Sequence, residues 1–184
     1  MDLTGKTLIA MPGMGDPRFD GAVVFLCAHG PGRTMGLIVN KPLPDLRLAD
    51  LLRQVNVPPG LDAPDLPVHF GGPVEPGRGF VLHSLDYRSP RNTLVVQGRF
   101  GMTATLDILK ALAQGAGPQR CLMTLGYAGW GAGQLDAEIA KNGWLTADVP
   151  EDVIYAADDA GKWQAALKVL GVSALSLSSS AGHA

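Results

Sequence analysis

Cys27 and His29 stand two apart in the run "VVFLCAHG". On a strand, alternate side chains share a face, so both are expected on one side, about 6–7 Å apart. A thiol beside an imidazole can lose its proton and serve as a nucleophile or a redox-sensitive group. The bland alternative is a buried cysteine next to a strand-end histidine bonded to backbone, because spacing alone rarely marks a catalytic cysteine. His69, His83, Asp16, Asp20 and Glu75 add donors that a metal would accept. No standard ligand spacing links them, so no metal and no cofactor is expected. His69 and His83 fall on strands flanking an expected second hairpin and would be neighbours across it, each half-buried and bonded to backbone.

A second concentration of chemistry is "LGYAGWGAGQLDAEIAKNGWL", Leu125–Leu145, which carries four glycines within eight residues. Glycines between a strand and a helix often cradle a phosphate. A P-loop needs Gly, four residues, then Gly-Lys-Ser/Thr; Gly126 and Gly131 have that spacing, but Gly131 is followed by Ala132 and Gly133. A dinucleotide fingerprint fits Gly129 and Gly131 but meets Gln134 where its third glycine belongs. Asp148 lies at a ribose-binding distance downstream, yet no βαβ halves surround it. The bend is therefore read as backbone geometry, with Trp130 packed on it and a helix starting near Gly133. Asp136 and Glu138 then fall in the first turns, where carboxylates suit the helix dipole. Gln134 and Glu138 are the side chains that a pocket would use.

Gly71, Gly72, Pro73 and Arg78 form a long hairpin tip, open to close approach by a ligand or another backbone, with Arg78 suited to an anion. Its plainer reading is a turn with a solvated arginine. Asn40, before Lys41-Pro42, is suited to bonding a loop backbone. Candidate ligand-contacting residues are thus His29, Asn40, Gly71, Gly72, Arg78, Trp130, Gln134 and Glu138. No Gly-x-Ser-x-Gly, paired glycosidase-like carboxylates or Ser/His/Asp set can be placed.

The elements that must position these residues are mostly short strands punctuated by Pro and Gly. Expected strands are Lys6–Met11, Ala22–Ala28, Thr34–Asn40, Val68–Phe70, Gly79–Ser84, Asn92–Gly98, Cys121–Tyr127, Asp152–Ala156 and Ala174–Leu177. "AVVFLCAHGPGRTMGLIVNKP" reads as a hairpin, because its linker is too short for a parallel crossover. "VHFGGPVEPGRGFVLH" reads as another. One helix is expected after Asp45 as cap, with Leu48, Leu51, Leu52 and Val55 on its apolar face. A second follows Thr103, with Leu106, Leu109 and Ala113 repeating and Gly115 as its stop. A third follows the glycine bend, with Leu135, Ile139 and Trp144 facing inward. The last runs from near Asp159 to Leu170, with Trp163, Ala166, Leu167 and Leu170 as its stripe. Runs of strands with interspersed helices predict an α+β fold with a mostly antiparallel, curled sheet and about four helices.

The chain has 184 residues, 46% of them hydrophobic, and a net charge of −2. That supports one domain, 1–184, with a substantial core. No apolar run is long enough to span a bilayer, and the N-terminus lacks a leader pattern, so a cytoplasmic protein is expected. Lys and Arg are scattered; Arg88, Arg91 and Arg99 are the nearest thing to a cluster. Direct nucleic-acid binding is disfavoured, since duplex binders concentrate basic charge. Two cysteines in apolar runs fit buried, reduced thiols.

The glycine bend also resembles the signature of the AlgH/YqgE family of small bacterial proteins. "LIAMPGMGDPRFDGAVVFLCAHGPGRTMGLIVNKP" is similar to that family's opening strand, Asp-Pro turn, Cys/His-bearing strand and Asn-x-Pro ending. "GGPVEPGRGFVLH" is similar to its Gly-Gly-Pro-Val hairpin, and the terminal "GHA" agrees. Ala28 stands where relatives often carry an acidic residue, and Asp136 where Glu is common. The resemblance implies a single α+β domain with a bifurcated, barrel-like sheet in the cytosol, and no defined reaction; some members carry a transcriptional-regulator label. The expected function is non-enzymatic: a regulatory protein, or one that binds a protein or small-molecule ligand. The alternative is a cysteine-dependent enzyme or redox sensor using Cys27 with His29. Many sheet edges in a modest domain also lead to an expectation of homo-oligomers.

Overall fold

The computed structural model describes residues 1–180. The terminal "GHA" lies outside them. In chain order the strands are β1 (Thr7–Ala10), β2 (Val23–His29), β3 (Arg33–Ile38), β4 (Pro42–Arg47), β5 (Pro67–Phe70), β6 (Val74–His83), β7 (Thr93–Val96), β8 (Phe100–Thr103), β9 (Cys121–Gly131) and β10 (Trp144–Ala147). The helices are α1 (Leu48–Gln54), α2 (Leu106–Ala113), α3 (Gln134–Ala140), α4 (Glu151–Ile154), α5 (Lys162–Val169) and α6 (Ala174–Ser180), with a 3-10 turn at Pro17–Phe19.

β2 is apolar without interruption because both of its faces are covered. Val23, Phe25 and Cys27 enter an inner core with Phe80, Leu82 and Phe100. Ala22, Val24 and Leu26 enter an outer core with Trp130, Leu135 and Trp144. A third core gathers Leu48, Leu52, Ile108 and Leu112, where α1 and α2 cover the sheet. The sheet curls enough for the rings of Phe25 on β2 and Phe100 on β8 to meet at 4.4 Å. α5 closes the inner core with Ala166 and Leu167, and Trp163 donates its indole N–H to the Ala10 carbonyl at 2.9 Å.

Strand order is β10-β1-β2-β3-β9-β6-β8-β7, and β9 is where the sheet forks. Its distal half, Ala128–Gly131, pairs with β3. Its proximal half, Met123–Leu125, pairs in parallel with β5, which carries β4 beyond it. The backbone of Gly71 sits in the fork, donating to the Leu125 carbonyl at 2.8 Å and accepting from the Ile38 N–H at 2.9 Å. A Cβ on Gly71 would lie 2.3 Å from the Gly126 carbonyl oxygen, and one on Gly72 2.0 Å from the Tyr127 carbonyl carbon. Glycine at these two positions is a condition of the fork, since only a bare backbone fits there.

The α+β class and the curled, forked, mostly antiparallel sheet agree with the sequence reading; several details differ. β5 and β6 are not a hairpin, because both pair with β9 and lie on either side of it. His69 and His83 are consequently not cross-strand neighbours. Asp45 does not cap α1: it lies in β4 with φ 62°, Arg47 is the N-cap, and Asp50 accepts the Arg47 N–H at 2.8 Å. Two expected strands are helices. Pro150 followed by Glu151 and Asp152 makes a helix start of α4, and the Ser173 hydroxyl accepts from the Ser176 N–H at the start of α6. Trp144 is not on the third helix but opens β10.

A candidate ligand-binding cleft around Glu138

β9 delivers Trp130 to the outer core and then turns through Gly131–Gly133 into α3. Gly133 takes φ 68°, and the Gly131 N–H is already engaged by Gln134 Oε1 at 3.0 Å. The Gly131 amide is therefore spent on the bend's own helix start. β10 lies antiparallel to β1 and brings Trp144 opposite Ala10. The Asp16–Pro17 turn brings Phe19. The Trp130 and Trp144 rings stand 6.0 Å apart at 80°, and Phe19 meets Trp144 at 5.8 Å and 80°. Such edge-to-face packing suits the aromatic quadrupole.

Glu138, one turn into α3, joins this cluster. Its Oε2 accepts the indole N–H of Trp130 and that of Trp144, each at 2.9 Å. Its Oε1 accepts from Gln134 Nε2 at 3.1 Å. A carboxylate offers about four acceptor positions, and these neutral donors take three, leaving one on Oε1. The group faces a cavity of about 590 Å³ lined by the Met11–Phe19 loop, Gly129, Trp130, Gln134, Glu138 and Trp144. That volume is in the range of small-molecule sites. At its rim, Arg18 lies 2.7 Å from Asp16, whose carboxyl is held below its ordinary value chiefly by the Arg18 side-chain hydrogen bonds. Lys141 is exposed on the same rim.

The AlgH-like family model matches residues 7–175. The chain belongs to the AlgH-like family. A UPF0301 protein of Ruegeria pomeroyi is 59% identical over 185 residues, and one of Cereibacter sphaeroides 56% identical over 184, each alignment covering both chains completely. The solution structure of the AlgH protein from Pseudomonas aeruginosa superposes with a TM-score of 0.81 at 39% identity, covering all of this chain and 97% of that one. A crystal structure of a Corynebacterium diphtheriae protein, 18% identical with a TM-score of 0.70 over 88% of this chain and 83% of that one, shares the fold.

In this AlgH-like chain the expected site residues separate. Trp130, Gln134 and Glu138 come together in the cleft. Asn40 is a backbone clamp: its Oδ1 accepts the Val23 N–H and its Nδ2 donates to the Gly21 carbonyl, both at 2.9 Å. Gly71 and Gly72 belong to the fork. Arg78 lies over the Phe80 ring at 5.2 Å and 3.6 Å from Glu75, beside a different cavity.

Cys27 and His29 do not share a face. The register against β3 shifts between Leu26 and Ala28, so Cys27 is the extra residue of a bulge and the strict alternation fails. Cys27 is buried in the inner core, and burial pushes its thiol up to about 12. His29 accepts the Leu3 N–H on Nδ1 at 3.2 Å, and its Nε2 lies 4.0 Å from Asp136. No three His, Cys, Asp or Glu side chains gather as metal ligands among the described residues.

Sequence reasoning missed a second polar cluster. His69 Nε2 lies 3.0 Å from both oxygens of Asp159, which pairs with Lys162 at 2.8 Å. Lys162 is 1% exposed and donates to the Val39 carbonyl at 2.9 Å. Burial alone would raise the Asp159 carboxyl, but hydrogen bonds from His69 and Lys162 outweigh it and hold the group below its ordinary value. Burial likewise depresses the Lys162 ammonium despite its pairing with Asp159. The available signal was the Asp159–Lys162 spacing of three on a helix start.

Proposed function

We propose that this protein is a non-enzymatic, regulatory binding protein. It holds a small molecule, or a short segment of another protein, in the cleft between the Met11–Phe19 loop and the β9–α3 bend. The observation that carries this reading is Glu138: a half-buried carboxylate ringed by neutral donors, with one acceptor position left toward a cavity. A donor or cationic group on the ligand would complete that carboxylate, and Phe19 and the indole edges would contact its apolar part. Among the described residues no helix is long and apolar enough to cross a membrane.

Burial of Cys27 speaks against the thiol alternative, because a nucleophile must ionise and be reached. Cys27 is expected to alkylate no faster than a model thiol at neutral pH; faster reaction would revive the redox reading. The binding reading is tested by titrating a panel of amines, amino acids and short peptides while following the indole N–H resonances of Trp130 and Trp144. A true ligand moves both resonances saturably and loses affinity in Glu138→Gln. If no compound across a broad panel moves either resonance, the cleft is not the site.

A further inference from the structure

The curled sheet ends at β7, which comes round towards β2 and the start of β3, and the gap left between β7 and β3 is the mouth of the curl. β7 presents Leu94 and Val95 at 42% exposure, unusual for large apolar side chains on an edge strand. Between β7 and the start of β3 lies a cavity of about 530 Å³. Met35, Phe80, Leu94 and Met102 line its apolar wall, and the rim carries Arg33 and Arg78. Met side chains adapt to irregular apolar ligands.

The charges are unequal. Arg33 makes no ion pair or side-chain hydrogen bond among the described residues, and Arg78 faces Glu75 at the loose distance of 3.6 Å. Two guanidinium groups against one carboxylate leave a positive rim on a chain whose net charge is −2. Guanidinium groups recognise carboxylates through paired N–H donors, and the mouths of β-barrels are recurrent small-molecule sites. We propose that this mouth is a second binding site, for an acid with an apolar tail: the tail on Met35, Phe80 and Met102, the acid head on Arg33 and Arg78. The charge asymmetry at the rim selects this occupant over a neutral lipid.

The test uses the full chain carrying ¹³C-methyl methionine, with decanoate as probe below its micelle-forming concentration. The Met35 and Met102 methyl resonances are expected to shift saturably, while the Trp144 indole N–H stays fixed. Acetate should not reproduce the shift, and 1-decanol should bind at least tenfold more weakly. The exposed double variant Arg33→Gln/Arg78→Gln, checked for folding by its unchanged methyl spectrum without ligand, should bind decanoate at least tenfold more weakly. Absence of saturable shifts, equal affinity for 1-decanol, or undiminished affinity in the double variant would each overturn the proposal. So would methyl shifts that track protein concentration alone, which would assign the mouth to a second copy.

Discussion

Glu138 and Asp159 are both carboxylates that tie separate elements together, and they do so under opposite conditions. Asp159 is enclosed, with a cation on one side and an imidazole on the other, and Lys162 extends the chain of bonds to the Val39 carbonyl. Glu138 is half-buried, bonded by uncharged indoles and an amide, and open to a cavity. A buried ionised group without a partner costs several kcal/mol, so Asp159 needs its neighbours to exist in that form. Glu138 keeps part of its hydration and an unfilled acceptor position. The difference teaches which of two similar clusters is a strut and which a site: in the strut the carboxylate is matched by a buried cation, and in the site it meets only neutral donors and a cavity.

That distinction predicts the largest effect at Asp159. Asp159→Asn removes the counter-charge from a lysine that is 1% exposed, and should cost about 3–5 kcal/mol in urea unfolding. Lys162→Met should cost less than Asp159→Asn, because His69 still bonds the carboxylate and the apolar stem still fills the core. A cost for Asp159→Asn below about 1 kcal/mol would show that the cluster is not holding α5 against the sheet.

The same cluster sets an acid limb. Asp159 has a lower value in the folded chain than its ordinary 3.8, so the unfolded state takes up its proton first as pH falls. Its stabilisation is complete above the ordinary value and is lost as pH drops through the folded one. Urea midpoints followed downward from about pH 6 should fall less steeply in Asp159→Asn than in the parent, after allowance for its lower starting stability. Parallel limbs would assign the acid sensitivity to other carboxylates.

Glu138→Gln should invert the pattern. The amide oxygen can still accept from both indoles, but its NH₂ now opposes the Gln134 amide donor. The expected cost is about 1 kcal/mol, well under that at Asp159, measured by the same unfolding curves. Ligand affinity should instead fall at least tenfold. A variant that unfolds as readily as Asp159→Asn while binding normally would reverse the two roles.

How far each cluster could be read from sequence follows from how it is assembled. β2 was legible because burial on both faces forces an unbroken apolar run from Ala22 to Cys27. α1 was legible from Leu48, Leu51 and Leu52, while its cap was not, since Asp is a favoured cap residue and Arg is not, yet the extended backbone falls at Arg47 and Asp50 bonds its N–H. The Glu151–Ile154 segment is too short for its apolar period to separate helix from strand. β4, with Pro42 and Pro44, reads as a loop until β5 is present to pair with it. Within the cleft, Trp130, Gln134 and Glu138 were legible because they lie within nine residues of one another. Phe19 and Trp144 enter through the β1–β10 pairing and the Asp16–Pro17 turn, which no local pattern announces. Lys162 was hidden because a helical lysine ordinarily reads as solvated.

Gln134 supplies the finest test of the contrast. It is exposed, and it both receives the Gly131 N–H and donates to Glu138. Gln134→Ala leaves both indole bonds to Oε2 in place and frees a second acceptor position on Oε1. Water can reach the released Gly131 amide, so unfolding should shift by no more than about 0.5 kcal/mol. The consequence should appear only in binding. If Gln134 merely braces the helix start, ligand affinity stays as it was; if it orients Oε1 toward the cavity, affinity falls severalfold while stability does not. In the closed cluster no such separation is available, because every group that positions Asp159 also neutralises or buries it. A loss of stability in Gln134→Ala comparable to that in Glu138→Gln would mean that the open carboxylate, too, is held as a strut.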